Sequence, residues 1–99
     1  MSTRLESDNE LLDEIKEPDM YKVIMLNDNY STMQFVIAVL MGIFKKSHEE
    51  AHKLMLQIHN EGSAIAGVYI HDIAVTKSTH ANELAHKSGF PLKTKVLKE

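Results

Sequence analysis

The chain has 99 residues, 43% of them apolar and 25% charged, with a net charge of −3. That is the composition of one ordinary globular domain, too short for two cores. The absence of Cys excludes a disulfide framework, a Cys-ligated metal and thiol catalysis; the net negative charge argues against a general nucleic-acid binder.

Charge is unevenly spread. Residues 1–19 hold seven acids against Arg4 and Lys16, whereas residues 20–99 hold nine bases against seven acids. The expected organisation is therefore a flexible acidic extension over 1–19 and a folded core over 20–99. The extension offers only Leu5, Leu11, Leu12 and Ile15 for burial. It reads either as a solubilising leader or as a segment that another protein grips. With acids where a signal peptide needs an apolar stretch, no export is expected. The longest apolar run, Phe35–Phe44, is too short to span a bilayer.

Tyr21–Leu26, apolar and partly β-branched, predicts a strand. Asn27-Asp28-Asn29-Tyr30 is a polar turn, and Ser31 with Gln34 has the form of a capping box opening a helix to about Phe44. Met33, Val36, Ile37, Leu40 and Phe44 make one apolar stripe on it, with Phe35, Val39 and Ile43 on other faces. An almost wholly apolar helix is deeply buried or carries a binding face as well as a core face. Ser47 and Glu50 form a second capping box, for a helix reaching about Asn60 and ending at Gly62. Its core face is Ala51, Leu54, Met55 and Ile58.

Ser63–Ile70 predicts a second strand, with Ala64, Ala66, Val68 and Ile70 facing one way and a bulge or close backbone contact at Gly67. Asp72 is placed to cap a third helix with a small-residue stripe of Ala74, Ser78, Ala81 and Ala85, plus Leu84. Leu92–Val96 alternates as an edge strand with lysines outward. The order β-α-α-β-α-β predicts an α+β fold: a small, mostly antiparallel three-stranded sheet packed against three helices.

Two motifs invite chemistry. His48-Glu49-Glu50-Ala51-His52 matches H-E-x-x-H, whose two His face one way on a helix and can hold zinc. Five residues with three fixed make a weak signal, and the first His lies at a fraying helix end. Asn27-Asp28-Asn29 reads either as turn chemistry or as a polar rim gripping a cationic donor above an apolar hole. His59 lies at the edge of the second helix's core face, either as a structural His or as a hydrogen-bonding ring in a pocket.

Taken in order, Tyr21–Tyr30, Met33–Val36, Ala51–His59, Gly62, Ala66–Tyr69, Thr76-Lys77 and Pro91-Leu92 resemble the ClpS family, bacterial adaptors of the ClpA–ClpP protease. The resemblance covers residues 20–99. It implies a cytoplasmic, monomeric, non-catalytic adaptor, without cofactor or metal, and without nucleic-acid or membrane partners. Such an adaptor binds proteins whose first residue is Leu, Phe, Tyr or Trp and delivers them to the N-domain of a ClpA-type AAA+ unfoldase. Carried over by position, Asn27, Asp28, Asn29 and His59 would surround the substrate's α-amino group. Ser31, Met33, Val36, Met55, Ile58 and Leu92 would line the side-chain pocket, with Met33 at its mouth. Asp72 and Lys77 would contact the unfoldase. The family usually has Asp at the Asn29 position and commonly Pro at the Thr32 position. The alternative is a structural interaction domain without preference for a free N-terminus.

Overall fold

The computed structural model describes residues 18–99; the acidic extension predicted for 1–19 lies outside them except for Pro18 and Asp19. The elements are β1 (Met20–Leu26), α1 (Met33–Gly42), α2 (His48–Glu61), β2 (Ser63–Ile70), α3 (His71–Lys87) and β3 (Lys93–Lys98), in the predicted order. The sheet order is β2-β1-β3, and both neighbours run antiparallel to β1.

The central strand alternates, so Val23 and Met25 are fully buried against the helices. They share one core with Val36, Val39 and Leu40 of α1, Ile43 and Phe44 just beyond it, Ala51, Met55 and Ile58 of α2, and Ala64 and Ala66 of β2. The small residues Ala74, Ala81 and Ala85 are also fully buried, which lets α3 lie close to the sheet. Between α3 and β3, Ser78 Oγ lies 2.6 Å from Thr94 Oγ1, and Asn82 Oδ1 accepts from the Thr94 amide at 2.7 Å. These partners satisfy polar groups that burial would otherwise make costly.

Several local expectations are corrected. Thr32, not Ser31, caps α1: its hydroxyl accepts from the Phe35 amide at 3.1 Å. The helix ends at Gly42, with Ile43 closing it, rather than at Phe44. Met33 is 55% exposed and so stands outside the core. Leu54, expected on the core face of α2, is only half-buried. The side chain of Asp72 does not cap α3, which opens from Ile70 without a side-chain cap. Leu84 is exposed on that helix, and β3 starts at Lys93, one residue later than expected.

The strand β2 holds the bulge expected near Gly67. Val23 pairs with Gly67 but Ile24 with Ile65, leaving Ala66 as the extra residue. The insertion reverses the alternation beyond it. Val68 and Ile70 therefore face out, while Gly67 turns inward under the Tyr69 ring. The Ser47 cap and the left-handed Gly62 cap (φ 93°) of α2 stand as predicted.

Candidate functional site

Where β1 ends, the chain leaves the sheet and must turn sharply into α1. The Asn27 amide donates to the Gly62 carbonyl at 2.9 Å, tying this loop to the end of α2. Asp28 Oδ1 then accepts from the amides of Tyr30 (2.8 Å) and Ser31 (2.6 Å). Burial raises the Asp28 pKa, but the Ser31 amide, the nearby Ser31 hydroxyl and the Tyr30 amide favour the ionised form more strongly. The carboxyl therefore sits below its usual value of 3.8. The turn thus holds a carboxylate in place at the rim of a cavity.

The cavity, of about 220 Å³, is lined by Leu26, Asn27, Asp28, Asn29, Ser31, Met33, Val36, Met55, Ile58, His59 and Leu92. All ten residues that the family resemblance assigned to substrate come together in it. Each arrives by a local reason. The first turn of α1 puts Met33 at the mouth and Val36 in the wall. Met55, Ile58 and His59 recur three and four residues apart along α2, on the side turned toward α1. Leu92 enters from the loop before β3 and is 3% exposed.

The lining is chemically divided. The amides and carboxylate of residues 27–29 and the His59 ring form one polar edge. Val36, Met55, Ile58 and Leu92 form a buried apolar wall. Within it, Ser31 Oγ is buried beside the Asp28 carboxylate. The volume falls below the roughly 300–1,000 Å³ of sites for drug-sized ligands; it suits a single side chain. Leu26 went unnoticed in the sequence, because as the last residue of a strand its alternation gives no warning that it borders a cavity.

Asp72 and Lys77 are not part of this cavity. They line a separate groove with Gly42, Ile43, Lys45, Ile73, Thr76 and His80. The Asp72 carboxylate is open to solvent beside His71 Nδ1 at 3.3 Å. Lys77 is engaged within the fold: its ammonium lies 2.6 Å from the Ile43 carbonyl oxygen and 5.3 Å from the centre of the Tyr69 ring. His48 and His52 are exposed on α2. Among the described residues, no three His, Asp or Glu side chains converge as a metal site. No described helix is long and apolar enough to cross a membrane.

The family model described as ATP-dependent Clp protease adaptor protein ClpS matches residues 16–95. The chain belongs to the ClpS family. It is 49% identical over 85 residues to the ATP-dependent Clp protease adapter protein ClpS of Wolinella succinogenes, covering 86% of this chain and 82% of that one. It is 49% identical over 82 residues to the ClpS of Treponema denticola, covering 83% and 81%. Among solved structures, Agrobacterium tumefaciens ClpS2 bound to L-phenylalaninamide superposes with a TM-score of 0.81 at 38% identity, over 84% of this chain and 100% of that one. The three-helix, three-strand arrangement is the ClpS fold.

Proposed function

We propose that this chain is a non-catalytic adaptor that binds proteins beginning with Leu, Phe, Tyr or Trp and delivers them to a ClpA-type unfoldase for degradation by ClpP. The observation that carries this reading is the joining of one polar edge and one apolar wall in a cavity sized for a single side chain. An N-terminal residue presents a cationic amine with three donors next to its own side chain. Asn27, Asn29 and the His59 ring supply acceptors. Asp28 supplies negative charge that the turn has already fixed in place. That pre-ordering lowers the entropy lost on binding.

Burying a Leu or Phe side chain against Val36, Met55, Ile58 and Leu92 contributes about 1.5–3 kcal/mol. The flexible thioethers of Met33 and Met55 can mould to aromatic or branched shapes, and Met33 at the mouth crowds a branch at Cβ. The relative solved with L-phenylalaninamide supports the assignment, since that ligand carries a free α-amino group and an aromatic side chain. The groove holding Asp72 and Lys77 is the proposed unfoldase contact, within a core domain of residues 20–99. The acidic extension is the segment engaged at hand-over. The adaptor acts as a cytoplasmic monomer.

The test is a titration of labelled peptides beginning with Leu, Phe, Ile and acetyl-Leu. Leu and Phe peptides are expected to bind, with Ile and the capped peptide much weaker. Equal binding of free and capped peptides, or none at all, overturns the reading in favour of an interaction domain without N-terminal preference.

A further inference from the structure

The sheet has helices on one side only, and its other side is not the polar face that an uncovered antiparallel sheet usually carries. Its cross-strand rows are Ile70–Met20, Val68–Lys22–Leu97, Ile65–Ile24–Lys95 and, at the end, Leu26–Lys93. Ile65, Val68, Ile70, Met20 and Leu97 are all exposed large apolar side chains there, Ile65 to 45%. The charged groups on this face are Lys22, Lys93 and Lys95; none of its residues is an acid. An apolar patch with a one-sign charge set marks a surface that something covers.

We propose that the covering partner is this chain's own segment 1–17, docked on the outer face of the sheet. Its composition is complementary on both counts. It holds six acids against two bases, and Leu11, Leu12 and Ile15 stand among those acids. Its point of attachment is also right. The segment joins the core through Pro18 and Asp19, which lead directly into Met20 at the end of the central strand. Asp19 pairs with Lys98 of β3 at 3.2 Å, and the Glu99 amide donates to the Met20 carbonyl, so the entry point is anchored at the sheet. Seventeen residues reach about 25 Å even at helical rise, enough to follow the seven-residue β1 at about 3.3 Å per residue. Docking shields the apolar face, and the acidic segment becomes available to another binder only on release. The inference does not depend on the N-terminal-residue pocket, whose lining shares only Leu26 with this face.

The chain has no Cys, so Ser7→Cys gives a single attachment point for a nitroxide. The measurement is the paramagnetic broadening of methyl resonances in the otherwise intact chain. Docking predicts strong broadening of Ile24, Ile65, Val68 and Leu97, with Ile73 and Leu56 on the helical layer spared. The effect should be unchanged by dilution, and diminished both by high salt and by Lys93→Glu with Lys95→Glu. Comparable broadening on both layers, or none, overturns the proposal. So does broadening that appears only when spin-labelled chains are mixed with separate isotope-labelled ones, which would assign the face to a second copy.

Discussion

The ammonium of Lys77 donates a 2.6 Å hydrogen bond to the carbonyl oxygen of Ile43, the residue that closes α1. A cation at a helix C-terminus faces the negative end of the helix dipole and satisfies a carbonyl the helix itself leaves free. This residue therefore holds α1 to α3 as well as lining the groove proposed for the unfoldase. Lys77→Met keeps most of the stem but removes the charge, and about 1.5 kcal/mol of stability should go with it. In a domain of this size the thermal midpoint should fall by roughly 4–8 °C per kcal/mol. Calorimetry of the variant checks this; an unchanged midpoint would mean that the ammonium is free in solution. Any loss of unfoldase binding in the variant should accordingly be measured well below its midpoint, where both proteins are folded.

Gly67 is constrained by packing instead. A Cβ there would run into the Tyr69 ring, whose Cε2 would lie 2.6 Å away. Gly67→Ala should destabilise the chain by about 1–3 kcal/mol, the usual cost of overpacking. Trimming the obstacle with Tyr69→Ala should make the second change much less harmful. A double-mutant cycle by urea unfolding measures that coupling. Additive losses would show that the strain is taken up elsewhere in the bulge.

The element order, the Ser47 and Gly62 caps and the small-residue face of α3 could be read from the sequence, because capping chemistry and helical spacing act over a few neighbouring residues. The cap of α1 could not. Ser31 and Thr32 are adjacent hydroxyls, and Asp28 decides between them by accepting the Ser31 amide within its own turn. The outward turn of Val68 and Ile70 was likewise hidden, since a bulge resets the alternation through pairing with a strand forty residues away. The Asp72 carboxylate follows the same logic: as the second residue of α3 it lies past the cap position, so it meets the His71 ring rather than a free amide. Family likeness, not spacing, points to the cavity's members. Spacing alone left Asn27–Asn29 open between turn and rim, and in the structure Asp28 does serve the turn while also bordering the cavity.

Asp28 makes part of the stability dependent on pH. Its pKa is lower in the folded chain than the usual 3.8, so its contribution is complete above the unfolded value. It is lost as pH falls through the folded one. Asp28→Asn retains a side-chain oxygen for the turn but cannot carry charge. The variant should be less stable than the parent at neutral pH, and the gap should narrow below about pH 3.8, where the parent's own carboxyl takes up a proton. Urea unfolding of both proteins at neutral and acidic pH measures the gap. A gap that stays constant across that window would show that the turn gains nothing from ionisation.

Asn29 stands on the cavity rim, and its neutral amide limits what the rim can offer an amine. Hydrogen bonds to a charged group contribute about 1.5–3 kcal/mol against about 0.5–1.5 for neutral pairs, and the amine's own charge already recovers part of that difference. Asn29→Asp should therefore tighten binding of peptides with free N-terminal Leu or Phe by up to about tenfold. The gain should shrink with added salt, because the rim is open to solvent. Binding of the acetylated peptide should not improve, since it presents no cation. Fluorescence titrations of the parent and variant with both peptides decide the matter. If the free and acetylated peptides respond alike, the side chain at position 29 does not face the amine, and Asp28 alone supplies the negative charge at the rim.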